Sequence, residues 1–255
     1  MSPLRSNDIA TLENVELRFG EKVVLRNCSL AIKEGAITCL IGLSGAGKST
    51  ILRLINGLQR PSKGRVTVRG IDVSTLRPRQ LPEFRRQIGF AFQFAALFDS
   101  LTVSENVAMP LREHTKMSKK EIDKLVLETL ETVGLEQVGD RMPAELSGGM
   151  LKRAGFARAV ITNPDLVLYD EPTTGLDPII THVLTETIVR LRRKLGGTAV
   201  VVSHDLESIY AMADYVAMLF EGAIIEYGTV EEVRGSANPI VQQFLQGSEV
   251  GPIPL

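Results

Sequence analysis

The sequence predicts an α/β protein: a mostly parallel sheet covered by helices, with an antiparallel β subdomain at its N-terminal end and a helical insertion. Three observations carry this. From Ile37 onward, short apolar runs alternate with amphipathic helical stretches, the pattern of a sheet buried on both faces. Before Ile37, apolar and polar positions alternate between turn signals, as in half-buried strands. Between Phe94 and Ala144 the strand signal disappears and helical periodicity replaces it.

The elements follow in order. Leu12–Phe19 and Val23–Ile32, bounded by Gly20-Glu21 and Glu34-Gly35, read as antiparallel edge strands joined by Arg65–Arg69. Ile37–Ile41 is a buried strand that leads into Gly42–Thr50 and a helix over Lys48–Leu58. Ile88–Phe92 is the next strand. Ser118-Lys119-Lys120-Glu121 is a capping box, and behind it Ile122, Leu125, Val126, Leu130 and Val133 share one helical face that Gly134 ends. Ser147-Gly148-Gly149 precedes a helix over Met150–Val160, and Leu166–Tyr169 is a buried strand. Asp177-Pro178 starts a helix that runs to Leu195 and stops at Gly196. Thr198–Val202 and Val216–Leu219 are further strands, and Ile224 and Ile225 after Glu221-Gly222 form a short hairpin. The chain thus divides into one domain over residues 1–240, with its helical insertion at about 94–160, and a tail over 241–255.

Composition narrows the function classes. The 255 residues carry a formal charge of −1, which excludes a generally basic nucleic-acid binder. Hydrophobic residues make up 44%, a globular value. Cys28 and Cys39 are too few for a disulfide framework, so a reducing compartment is expected. No apolar run approaches the ~20 residues of a membrane span. The polar start Met1–Asp8 lacks a signal-peptide core. A cytoplasmic protein is expected, associated with any membrane through a partner.

Three motifs carry chemistry. Gly42-Leu43-Ser44-Gly45-Ala46-Gly47-Lys48-Ser49-Thr50 satisfies the P-loop pattern between a buried strand and a helix. Its glycines let successive backbone N–H groups turn toward phosphate oxygens, and the helix N-terminus adds positive charge. Lys48 is suited to the β- and γ-phosphates and Ser49 to Mg²⁺. The expected core is therefore of the P-loop (RecA-like) kind, and a nucleoside triphosphate with Mg²⁺ is the expected ligand. Leu166–Glu171 is an apolar strand that delivers two carboxylates to the sheet edge: Asp170 for Mg²⁺, Glu171 for the attacking water. Ser147-Gly148-Gly149, at a helix start, is a second small anion site, which one nucleotide on one chain does not need. It makes sense if it closes over the nucleotide of another copy; by itself it also reads as an ordinary helix cap.

Gly42–Thr50, Gln93 after a strand, Leu146–Gly149, Asp170-Glu171, Leu176-Asp177 and His204 occur in this order along nearly the whole chain. Together they resemble the nucleotide-binding subunit of an ABC transporter. The resemblance implies that the nucleotide is ATP, that Phe19 stacks on adenine and that Gln93 senses Mg²⁺ and the attacking water while linking the site to the membrane subunit. It further implies that Asp177 crosses a dimer interface and that His204 contacts the γ-phosphate. His114 and His182 have no such placement and read as surface residues. The run Ala96–His114, Met150 in place of the usual glutamine, and the ending Gln243–Gly247 through Gly251-Pro252 are similar to the Mla-type ATPases. That family moves phospholipid or related lipid between the envelope membranes of bacteria.

The resemblance implies these partners: a second copy in a homodimer, integral permease subunits, a small accessory cytoplasmic subunit and a periplasmic lipid-binding subunit, without nucleic acid. It places the chain on the cytoplasmic face of the inner membrane. Phe94, Leu97, Phe98, Leu101 and Met109 are expected in part to form a groove beside Gln93 for a helix of the permease. Phe244 and Leu245 are expected to pack on the other protomer or on an accessory subunit bound there, which would make the tail an inter-subunit clasp, the alternative being a fold-back onto its own domain. Other readings are the ATPase of a small-solute importer, for example for amino acids, a soluble ATP-driven clamp, and a non-hydrolysing nucleotide-binding regulator. Only 54 positions separate Gln93 from Ser147, too few for a long coiled-coil insertion of the DNA-repair kind. Intact Lys48, Asp170, Glu171 and His204 argue against the regulator.

Overall fold

The computed structural model describes residues 7–254, so the first six residues of the polar start, and Leu255, lie outside the described residues. In chain order the elements begin with β1 (Asp8–Phe19), β2 (Lys22–Lys33), β3 (Ile37–Ile41), α1 (Lys48–Ile55), β4 (Lys63–Val68) and β5 (Ile71–Asp72). There follow α2 (Leu81–Arg85), β6 (Ile88–Ala91), α3 (Val103–His114), α4 (Lys119–Thr132), α5 (Gly148–Val160), β7 (Leu166–Asp170) and α6 (Pro178–Leu195). The chain ends with β8 (Thr198–Val202), α7 (Leu206–Met212), β9 (Tyr215–Phe220), β10 (Ala223–Thr229), α8 (Val230–Arg234) and α9 (Pro239–Gln246). No helix among the described residues is long and apolar enough to cross a membrane.

The chain forms two compact units, divided at Arg77/Pro78 and Ala199/Val200. The first holds an antiparallel sheet in the order β2-β1-β4-β5 and, separately, strands in the order β10-β9-β3-β8. β1 pairs antiparallel with β2 and with β4, so the expected N-terminal β subdomain is present. β3 runs parallel to β9 with Cys39 opposite Val216, and all five of its residues are buried. Their burial explains the mainly apolar run, Thr38 being its one polar residue: a strand covered on both faces favours apolar side chains throughout. The second unit is built on the parallel pair β6–β7, with Phe90 opposite Leu168, together with α2–α6. This is the α/β P-loop architecture the sequence predicts.

Boundaries differ in instructive places. α1 ends at Ile55, three residues before Leu58, because Asn56 leaves helical geometry and Gly57 turns left-handed at φ 66°. α5 starts at Gly148 rather than Met150, since the Ser147 hydroxyl caps it by accepting from Met150 N at 3.3 Å. The last hairpin is longer than its two isoleucines: β10 has seven residues and pairs with β9 along its length. Glu221 (φ 46°) and Gly222 (φ 81°) make its turn with both central residues left-handed, as tight hairpins require.

Candidate functional site

The candidate site residues divide between the two units. Phe19, the P-loop and His204 lie on the first; Gln93, Ser147, Gly148, Gly149, Asp170, Glu171 and Asp177 lie on the second.

On the first unit, β3 delivers the P-loop and α1 leaves it. Gly42 has φ 138°, and a Cβ there would lie 2.1 Å from the Leu219 carbonyl oxygen on β9. Only glycine lets the loop leave the sheet this close to its neighbour. Gly45 and Gly47 are also left-handed, and Gly47 stands at the N-cap of α1 without a side-chain cap. The N-terminal end of α1 thus carries no competing side chain where a phosphate would meet its N–H groups. Lys48 is buried and donates to the Gly42 and Leu43 carbonyls, both at 2.9 Å. Its ammonium therefore sits inside the loop. Ser44 is exposed, and Ala46, Ser49 and Thr50 are half-buried. Phe19 ends β1 half exposed, and His204 is exposed beyond β8.

On the second unit, β7 buries all of Leu166–Asp170 and so carries Asp170 and Glu171 to its C-terminal end. Tyr169 packs edge-on against Phe156 of α5, with ring centroids 5.0 Å apart, which fixes the strand on the helix. Glu171 is left-handed at φ 46°. Its Oε2 accepts from Thr174 Oγ1 at 2.9 Å and from Gln93 Nε2 at 3.3 Å. Gln93 and Glu171 are therefore in direct side-chain contact.

Lys152 was not legible as a site residue. It is buried on α5, donates to the Glu171 carbonyl at 3.2 Å, and also donates to the Gln93 carbonyl. Burial lowers its pKa, and the Glu171 and Asp170 carboxylates oppose that shift. The segment after Gln93 is unusual as well: Ala95 (φ 59°) and Ala96 (φ 50°) are both left-handed. Arg158 of α5 donates to both of their carbonyls, each at 2.7 Å. The signal in the sequence is the recurrence of Lys152, Gly155 and Arg158 at every third position of the helix.

The glycines of Ser147-Gly148-Gly149 have a packing reason too. A Cβ on Gly149 would come 2.5 Å from Ile180 Cγ2, and one on Gly148 3.2 Å from Leu176 Cδ2. Ser147 and Asp177 are exposed and each caps its own helix, Asp177 accepting from Ile180 N at 3.0 Å. The structure does not bring these two to the Gln93–Glu171 pair by any hydrogen bond among the described residues.

A cavity of about 390 Å³ opens on the second unit. Its walls include Phe90, Phe92, Phe98 and Met109, with Arg85 and Arg86 beside them. Of the five apolar residues expected in a groove, Phe98 and Met109 line it, Phe94 is 86% exposed outside it, and Leu97 and Leu101 are half-buried elsewhere. His114 lines the cavity and is exposed; His182 is exposed, both as expected.

A phosphate-cradling loop and a strand-end carboxylate pair on an α/β core define a nucleotide-binding P-loop ATPase. The chain belongs to the ABC transporter family, whose model matches residues 25–174. It is the family's ATP-binding cassette and an ATP-hydrolysing enzyme. It is 41% identical over 248 residues to the "Intermembrane phospholipid transport system ATP-binding protein MlaF" of Haemophilus influenzae, covering 97% of this chain and 94% of that one. It is 39% identical over 235 residues to the "Probable ribonucleotide transport ATP-binding protein mkl" of Mycobacterium tuberculosis (strain H37Rv), covering 92% of this chain and 66% of that one. A solved dimeric ATP-binding cassette in a post-hydrolysis state, bound to ADP and Pi, superimposes with a TM-score of 0.80 at 34% identity, covering 87% of this chain and 98% of that one.

Proposed function

We propose that this chain is the ATPase subunit of a transporter whose cargo is phospholipid or a related lipid. The observation that carries the cargo is the 41% identity to a phospholipid-transport subunit across 97% of the chain. The relative named for ribonucleotides makes small-solute transport the competing reading.

In this reading Gly42, Ser44, Gly45, Ala46, Gly47 and Thr50 wrap the phosphates, Lys48 neutralises them, and Phe19 stacks on adenine. Ser49, Gln93 and Asp170 supply oxygens for Mg²⁺. A hydroxyl, an amide and a buried carboxylate are each hard oxygen donors of the kind that suits this ion. Mg²⁺, when bound with ATP, offsets phosphate charge during transfer. Glu171 orients the attacking water and takes up its proton, while the Gln93 amide steadies the carboxylate and His204 contacts the γ-phosphate. Ser147, Gly148, Gly149 and Asp177 act on the nucleotide of a second copy, so two chains form a head-to-tail dimer with two shared sites. The cavity beside Phe98 and Met109 receives a short helix of a permease subunit, which places the chain on the cytoplasmic face of the inner membrane. An accessory cytoplasmic subunit and a periplasmic lipid-binding subunit complete the complex, and the tail clasps the neighbouring chain.

Two experiments test this. Glu171→Gln should keep ATP affinity, lose at least ~100-fold in turnover, and elute as a dimer with ATP and Mg²⁺. Native turnover in that variant refutes the site assignment. The complex purified from native membranes should yield co-purifying phospholipid by mass spectrometry; enrichment of a nucleotide or amino acid instead refutes the lipid cargo.

A further inference from the structure

We infer that Lys152 is a positioning residue for ATP hydrolysis: from α5 it holds the main chains of Gln93 and Glu171 together, so that the helix opened by Ser147-Gly148-Gly149 sets the geometry of the pair that handles water. The inference rests on the roles proposed above for Gln93 and Glu171.

Gln93 and Glu171 are 78 residues apart in the chain, and each ends or follows a different strand, β6 and β7. Their side chains meet at 3.3 Å, but that contact is long and bends easily. The Lys152 ammonium supplies a second link, because it donates to both main-chain carbonyls from a side chain that is 8% exposed. The backbones it holds need holding. Glu171 is left-handed, and Gln93 is followed by Ala95 and Ala96, both left-handed. Residues with a Cβ adopt that region only where their surroundings over-determine it.

The surroundings here are one side of α5. Three residues beyond Lys152, Gly155 leaves room for Ala95, whose Cα would lie 3.3 Å from a Cβ at that position. Three residues further, Arg158 donates to the Ala95 and Ala96 carbonyls. α5 thus grips the Gln93–Ala96 segment at three successive positions, and only Lys152 also reaches Glu171. A displacement of the Ser147 end of α5 must carry both carbonyls with it or break charged hydrogen bonds to them. The consequence for chemistry is direct. A general base acts only when placed within a few tenths of an ångström of its water, so loss of the clamp slows hydrolysis without weakening nucleotide binding.

The test uses the full chain with Lys152→Met, which keeps an unbranched apolar stem out to Cε but has no donor, and Lys152→Arg, which keeps a charged one. Lys152→Met should lose at least ~10-fold in kcat while ATP affinity and KM stay within about twofold, and Lys152→Arg should recover to within ~3-fold of native. In the pair Lys152→Met/Gln93→Ala the losses should not multiply, because both act through one geometry. Native kcat in Lys152→Met, a parallel loss of ATP affinity, or losses that multiply in the pair would each overturn the inference. If Lys152→Met does not fold, Lys152→Leu, which also lacks a donor, carries the same comparison with the same expected losses. Glu171→Gln, assayed beside them, separates the two claims: native turnover there sinks the site reading, whereas its loss with native turnover in Lys152→Met sinks only the role of Lys152.

Discussion

A Cβ on Gly42 would overlap the carbonyl oxygen of Leu219, and a φ of 138° is closed to side chains in any case. Gly42→Ala therefore has to move either β9 or the loop. It should destabilise the fold by roughly 2–4 kcal/mol in urea titration and weaken ATP binding in parallel. A native unfolding midpoint would show that the loop has slack. Cys28 allows a prediction of the opposite kind, by pH. Burial pushes its thiol from about 9 up to about 12, and both cysteines are free and buried. The folded state holds this proton more tightly than the unfolded one. Its contribution to stability is therefore complete below pH 9 and is lost as pH rises from about 9 to about 12. Cys28→Ala should show a shallower fall of the urea midpoint across that window than the native chain, and equal slopes would refute the assignment. Such individual residues were unequally legible. The P-loop announces itself because glycine spacing and a lysine have few other uses after a buried strand. Lys152 does not, because a lysine next to Arg153 in a helix looks the same whether it meets water or two carbonyls.

Among the elements, α3 owes its entry to Asn106, which is fully buried. Its Oδ1 accepts from Phe98 N at 2.7 Å, and its Nδ2 shares two hydrogens among the Phe98, Leu101 and Thr102 carbonyls, each at 3.0 Å. One amide thus satisfies the turn that presents Phe98 to the cavity. Asn106→Leu keeps the branched shape but strands those groups, and should cost about 2–4 kcal/mol while also reducing assembly with the permease subunit. Retained assembly would mean that the turn does not dock. α4 offers a smaller test: Ser118→Ala removes half of a reciprocal cap and should cost about 1 kcal/mol. That cap was readable from Ser118 and Glu121 in the sequence. The equivalent pair of α3, Thr102 and Glu105, follows the same spacing but sits behind a run of apolar and turn residues, Ala96–Leu101, that hides where the helix begins. Buried strands such as Thr198–Val202 were legible to the residue, because every position is apolar or small and buried. Edges were not: β1 begins at Asp8 and β10 extends to Thr229, where polar residues join a ladder that needs only their backbone.

The tail sets two proposals for the assembled protein against each other, and the structure shows how to separate them. Val241 and Gln243 on α9 are buried, so the helix is part of the first unit's interior and not a loose arm. Beyond it the chain returns: Ile253 is buried, its N donates to Gln243 Oε1 at 2.7 Å, and Gln243 Nε2 donates to the Ser248 carbonyl at 3.2 Å. Phe244 and Leu245 are half-buried, whereas Val250, at the crest of the return, is 87% exposed. A deletion starting at Val241 would remove interior residues and report on folding alone. Deletion of Ser248–Leu255 keeps α9 and removes only the return. Burial of Ile253 contributes at most ~1.5–3 kcal/mol, and the ordering of the return offsets much of it. The melting temperature should therefore drop by only about 3–8 °C. Val250→Asp is the sharper probe of the clasp. An exposed side chain contributes almost nothing to the monomer, so melting and ATP affinity should stay native. If the crest meets a second copy, a buried carboxylate there should weaken the ATP-bound Glu171→Gln dimer at least ~10-fold by analytical ultracentrifugation. Unchanged dimer affinity in Val250→Asp, with the melting temperature lowered only by the deletion, would make the tail a brace for α9 and end the clasp proposal.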